Sequence, residues 1–152
     1  MKLLTAGLLI ASCLGAQSLP NDFVALGASY NKQINPPISG FGVYAKKITG
    51  DTYSFNVIDV TSKTTNPFTV QSTTSTGLAQ YLGRFNGVDI FGLANIGIAA
   101  AGENVGLGYS GGFAFTGRIK GNVCFIVPMR IQKATIGDWQ GTIGLGIGMR
   151  RD

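Results

Sequence analysis

From Trp139 to Arg150 the chain alternates with a period of two. Trp139, Gly141, Ile143, Leu145, Ile147 and Met149 fall on one side, and Gln140, Thr142, Gly144, Gly146, Gly148 and Arg150 on the other. A helix would scatter these residues around its surface, whereas an extended strand sends successive side chains to opposite faces. The segment is therefore predicted to be a strand with one bulky apolar face and one small or polar face. The same pattern sets Leu107, Tyr109, Phe113, Phe115 and Ile119 against Ser110, Gly112, Ala114, Thr116, Arg118 and Lys120. It also puts Val123, Phe125, Val127, Met129 and Ile131 on one apolar face. No window keeps a 3.6-residue apolar period for three turns without Gly or Pro interrupting it, and 23 of the 152 residues are Gly. Gly and β-branched residues disfavour helices, so the chain reads as all-β.

Turn signals divide the chain into about eight strand-like stretches. They run Asp22 to Tyr30, Ser39 to Ile48, Thr52 to Thr61, Phe68 to Phe85, Val88 to Ala100, Gly108 to Lys120, Val123 to Lys133 and Trp139 to Arg151. The fourth is too long for one regular strand and is expected to bulge or break near Gly77. Longer connections (Asn31 to Pro37, Ser62 to Pro67, Ala101 to Leu107, Ala134 to Asp138) alternate with tight ones at Thr49-Gly50-Asp51, Asn86-Gly87 and Gly121-Asn122. Asn86-Gly87 is the strongest turn, because a two-residue type I′ hairpin needs positive φ at both positions. It would pair Arg84 with Asp89 across the strands. Short turns at one rim and longer loops at the other are the signature of a single antiparallel up-and-down β-barrel.

Which face is crowded separates a membrane barrel from a soluble one, since a soluble barrel packs its bulk inward and a membrane barrel turns it outward. In the C-terminal stretches the apolar faces carry the bulk, and the opposite faces are mostly Gly, Ala, Ser and Thr with occasional Arg or Lys. The interior is thus expected to be small, polar and nearly plugged, with Cys124 a buried, inert thiol. Leu78, Leu82, Phe91 and Leu93 would share a face with Arg84 and Asp89, so the fourth and fifth stretches leave their orientation open. Tyr30, Tyr53 and Trp139 near strand ends fit interfacial girdles or, equally, ordinary strand aromatics.

The first residues, MKLLTAGLLIASCLGAQS, have a basic Lys2, an apolar run from Leu3 to Leu14 and a small-residue ending. This reads as a secretory signal peptide over 1-16, with a barrel domain over 17-152. Ile10-Ala11-Ser12-Cys13 also resembles a lipoprotein processing box, which would make Cys13 a lipidated first residue. With the leader removed, Cys124 stands alone, and neither a disulfide nor a cysteine metal cluster can form. Removing Lys2 leaves eleven basic residues against seven acidic ones. They are scattered, so no nucleic-acid partner is expected.

At this point the chain resembles the small outer-membrane β-barrel proteins of the OmpA and OmpX type. The likeness lies in a cleavable leader, eight amphipathic stretches, alternating loop lengths and the Gly-rich closing strand from Gly141 to Arg150. The last stretch ends Met149-Arg150-Arg151-Asp152, without the aromatic residue that commonly closes the family's final strand. The resemblance implies residence in the outer membrane with the lipid bilayer as partner.

Chemistry is sparse. The absence of histidine removes Ser-His and Cys-His pairs and the commonest metal ligand. The acidic residues Asp22, Asp51, Asp59, Asp89, Glu103, Asp138 and Asp152 show no paired spacing on a strand face, so neither an enzyme nor a cofactor or metal site is expected. Asp22, Lys46, Arg84, Asp89, Arg118, Lys120 and Arg150 fall near strand ends on the tight-turn side. They form either an interior ion-pair network closing that mouth or separate solvated rim charges. Three functions follow: a structural or surface-interaction barrel in the envelope, a minor pore, or a secreted soluble barrel that binds a small apolar ligand.

Overall fold

The computed structural model describes residues 19–31, 38–63, 69–135 and 139–152. Eight strands follow one another: β1 (Asp22–Tyr30), β2 (Ile38–Thr49), β3 (Thr52–Lys63), β4 (Thr69–Phe85), β5 (Val88–Ala101), β6 (Asn104–Lys120), β7 (Val123–Ala134) and β8 (Gln140–Arg151). Each pairs antiparallel with the next, and β8 closes on β1 from Tyr30↔Ile143 to Asp22↔Arg151. The expected up-and-down barrel is therefore the fold. The proposed leader, including Cys13, lies outside the described residues, as does Asp138.

At Asn86-Gly87 both residues take left-handed φ, 48° and 77°, as a type I′ turn requires. Two expectations change. The connection predicted over Ala101 to Leu107 is a two-residue turn at Gly102-Glu103, with φ of 61° at Gly102, and β6 begins at Asn104. Glycine in the first central position is what a type II′ hairpin uses, and a spacing-based reading missed it. The fourth stretch is one continuous strand. Its irregularity falls between Tyr81 and Gly83, not at Gly77, whose missing side chain lets the Ala94-Asn95 backbone pack close. On β7, Pro128 has no N–H to donate, and the β7–β8 ladder passes over Val127 and Pro128.

The faces sort as the crowding argument required on the outside. Phe113, Ile143, Leu145 and Ile147 all point away from the barrel, Leu145 with 63% of its surface exposed. Val24 and Leu26 on β1, Ile96 and Ile98 on β5, and Met129 and Ile131 on β7 extend this apolar wall.

The interior departs from expectation. Rather than small and polar throughout, it holds a buried cluster that includes Phe23, Phe41, Val43, Tyr53, Phe55, Val57, Phe91, Leu93 and Ile126. The bulk comes mainly from β2, β3 and β5, and the small inner residues of β8 face it. A Cβ on Gly144 would lie 2.7 Å from Phe41 Cε1 and 3.1 Å from Pro128 Cγ, and one on Gly146 would lie 3.0 Å from Phe41 Cζ. The glycine stripe is thus the space into which Phe41 reaches, and the packing is dense on both sides of it. Gly144→Ala is expected to cost about 1–2 kcal/mol in a urea titration of the folded barrel, the usual penalty for overfilling a packed interior. Gly141→Ala, where an added Cβ meets nothing within 4 Å, is expected to stay within about 0.5 kcal/mol of wild type.

Candidate functional site

The charged residues near the tight turns divide according to which side of the barrel wall their strand sends them. The bulge between Tyr81 and Gly83 decides the first pair. Leu82 is the extra residue and points outward, so Tyr81 opposite Phe91 and Arg84 opposite Asp89 both face inward despite their sequence spacing. The bulge also settles the fourth and fifth stretches: Leu78 and Leu82 lie on the outer wall, while Phe91, Leu93 and Asp89 lie inside. Arg84 Nε donates to Asp89 Oδ1 at 2.6 Å, and Asp89 is only 1% exposed.

Arg118 and Arg150 also face inward, and the Asp152 carboxylate joins them. Its Oδ1 accepts from Arg150 Nη2 at 2.7 Å and from Nε at 2.9 Å, and its Oδ2 pairs with Arg118 Nη2. Lys120 is turned out. A second bulge makes Ile119 the extra residue and sets Lys120 opposite outward Val123 instead of on the inner face its parity implied. Lys46 shares the outer face with Tyr44 and Ile48. Asp22 lies opposite it on the outer rim and pairs with Arg151 at 2.7 Å. Of the seven candidates, Arg84, Asp89, Arg118 and Arg150 thus gather at the mouth, and Asp22, Lys46 and Lys120 do not.

Tyr53 likewise turns inward rather than to an interface. It is fully buried, stands edge-on to Phe91 with ring centroids 5.3 Å apart, and its hydroxyl donates to the Pro20 carbonyl at 2.6 Å. This bond fastens the segment before β1 across the mouth. Cys124 is buried, as expected. The mouth therefore has an aromatic floor beneath two sets of ion pairs. Arg84→Met leaves the buried Asp89 carboxylate without its short charge-assisted bond and is expected to cost about 1–3 kcal/mol, read as a lower urea midpoint.

Sequence reading missed a second interior pair. Arg130 Nη2 meets Asp59 Oδ1 at 2.6 Å, in the half of the barrel nearer the longer connections. Around it the inner wall is polar: Ser29 and Ser39 share a hydroxyl bond of 2.7 Å, and Asn31 Nδ2 donates to Gln140 Oε1 at 3.0 Å. Parity carried the signal. Arg130 shares a face with Cys124, Ile126 and Pro128, and Asp59 with Phe55 and Val57. The interior is thus layered, with ion pairs at the turn end, an apolar centre and a polar layer above it.

On the outer wall near the loop rim, Tyr109 and Trp139 meet edge to face at 5.5 Å, and Lys133 Nζ lies 5.5 Å from the Trp139 ring centre. Among the described residues no cluster of three His, Cys, Asp or Glu could hold a metal. The arrangement can brace a wall and close a mouth.

No protein-family model matches the sequence, and no characterised protein matches it by sequence. Solved structures do match by shape. Neisserial surface protein A aligns with a TM-score of 0.69 at 12% identity, covering 88% of this chain and 99% of that one. The outer-membrane protein Ail of Yersinia pestis, solved in a phospholipid bilayer nanodisc, aligns at 0.56 with 16% identity over 87% of this chain and 99% of its own. Outer membrane protein H (OprH) of P. aeruginosa aligns at 0.55 with 13% identity, over 86% and 99%. At these identities the likeness is one of fold: the chain has the architecture of the small eight-stranded outer-membrane barrels.

Proposed function

We propose that the protein is a non-enzymatic barrel of the bacterial outer membrane, with a structural or surface-interaction role in the cell envelope. The observation that carries this reading is the outward wall of exposed apolar side chains, from Val24 and Leu26 on β1 to Leu145 and Ile147 on β8. Monomeric soluble proteins rarely expose contiguous apolar patches beyond a few hundred Å², whereas a closed barrel in lipid must face its nonpolar residues to acyl chains. The likeness of shape to outer-membrane barrels supports the same placement.

The filled interior argues against the two alternatives. Phe41, Phe55, Phe91 and Ile126 occupy the centre that a pore would leave open, and a lipocalin-like carrier needs that centre as its ligand cavity. The orphan thiol and the ion-paired arginines serve packing and closure rather than catalysis.

Membrane fractionation with unheated and boiled gel samples tests the proposal. The chain is expected to resist urea extraction from membranes and to migrate differently before and after boiling. Extraction by urea without a heat-dependent shift would reject it.

A further inference from the structure

The outer wall is not uniform. β1 and β5 to β8 turn apolar residues, Gly or Ala outward along most of their length, but β2 to β4 carry a polar stripe. Register places Lys46 beside Ser54, Tyr44 beside Asn56, Asn56 beside Thr76, and Thr52 beside Gln80, all on the outward face. Asn56 and Thr76 lie well inside their strands, away from both rims.

Some of these groups are satisfied within the barrel. Thr52 Oγ1 donates to Gln80 Oε1 at 2.8 Å, Ser54 Oγ to the Lys46 carbonyl at 3.2 Å, and Asn56 Nδ2 to the Tyr44 carbonyl at 3.4 Å. Among the described residues nothing donates to Asn56 Oδ1, and none of them bonds the Thr76 hydroxyl. Acyl chains offer neither donors nor acceptors, so these groups are costly facing lipid.

We infer that this stripe is a lateral interface with a second copy of the chain. The inference rests on the membrane placement proposed above. A two-fold axis along the bilayer normal that passes beside Asn56 sets Asn56 against Asn56 of the second copy, and Thr76, its neighbour at the same depth, against Tyr44 of the second copy. Amides and hydroxyls are both donors and acceptors, which makes such a stripe complementary to itself. Two Asn56 amides can exchange a pair of hydrogen bonds and satisfy the orphaned Oδ1 of each. Lys46, nearer the turn rim, can extend its ammonium toward the headgroups and so avoid its counterpart. A partner selected by charge would need a net charge on the stripe, and away from Lys46 the stripe is neutral.

The test is disulfide crosslinking of the full chain in intact bacterial membranes. Asn56→Cys and, as a control on the opposite wall, Leu145→Cys are each oxidised with copper phenanthroline beside wild type, whose Cys124 is buried. Asn56→Cys is expected to give a dimer-sized band that reductant removes, with none from Leu145→Cys or wild type. The paired change Asn56→Leu with Thr76→Val is expected to lose the dimer in mild detergent while keeping the heat-dependent gel shift. A membrane-embedded chain that forms no self-crosslink at position 56, crosslinks equally at 145, or crosslinks instead to a protein of another mass would overturn the interface alone. A chain that urea extracts overturns the membrane placement and the interface with it.

Discussion

Leu145→Arg is expected to destabilise the barrel in phospholipid vesicles by about 2–4 kcal/mol, the range for a basic side chain near the bilayer midplane. Leu145 lies near the middle of β8 and points outward. The size of the effect therefore reports the surrounding medium rather than lost packing. On a water-exposed wall the same change would fall within about 0.5 kcal/mol of wild type. Val105→Arg serves as the internal comparison, because Val105 is just as exposed but lies beside the Gly102-Glu103 turn at the rim. There the cost is expected to be about 0–1 kcal/mol. Urea titration of each reconstituted variant, with the folded fraction read on unheated gels, gives both values. Equal costs at the two positions would mean that the wall has no hydrocarbon belt.

The second large effect belongs to the inner pair. Arg130→Met is expected to cost about 3–5 kcal/mol, because it leaves the Asp59 carboxylate buried without its counter-ion. Arg130 is 3% exposed and Asp59 6%, so water cannot readily take the place of the lost guanidinium. Asp59→Leu combined with Arg130→Met is expected to recover most of that loss, since replacing both members of a buried ion pair with apolar side chains is often close to neutral. The quantity to measure is the coupling in a double-mutant cycle. A single-mutant cost below about 1 kcal/mol would show that the pair behaves like a solvated surface bridge.

The strands were legible because period-two alternation and turn residues are local signals. β1 is bounded to the residue, the tight turns at Asn86-Gly87 and Gly121-Asn122 lie where their dipeptides indicate, and the one expected over Thr49-Gly50-Asp51 narrows to Gly50-Asp51 because Thr49 ends β2. The outward face of β6 to β8 was legible for the same reason. What sequence did not disclose were one-residue insertions. The extra residues at Leu82 and Ile119 reverse the parity beyond them, which turns Arg84 inward and Lys120 outward. No composition marks a bulge, because it is a property of two paired strands and not of one. The interior is bulkier than the sequence predicts because the three C-terminal strands, whose patterns are clearest, are also the ones with small inner residues. The bulk that fills their space comes from Phe41, Tyr53, Phe55 and Phe91 across the barrel, and only closure of the sheet brings these together. Asp152 joins the mouth through Arg150, two positions before it, and through Arg118, 34 positions away, and only closure of the barrel brings in the second partner.

The most direct measurement of the central claim, that the apolar wall faces lipid, is the accessibility of a nitroxide attached at Leu145→Cys in the reconstituted barrel. Oxygen, which concentrates in hydrocarbon, is expected to relax the label strongly, and a water-soluble nickel chelate only weakly. A label at Gly121→Cys, in the turn, is expected to show the reverse. If the chelate relaxes the Leu145 label as strongly as the one at Gly121, the wall is in water and the membrane assignment is wrong.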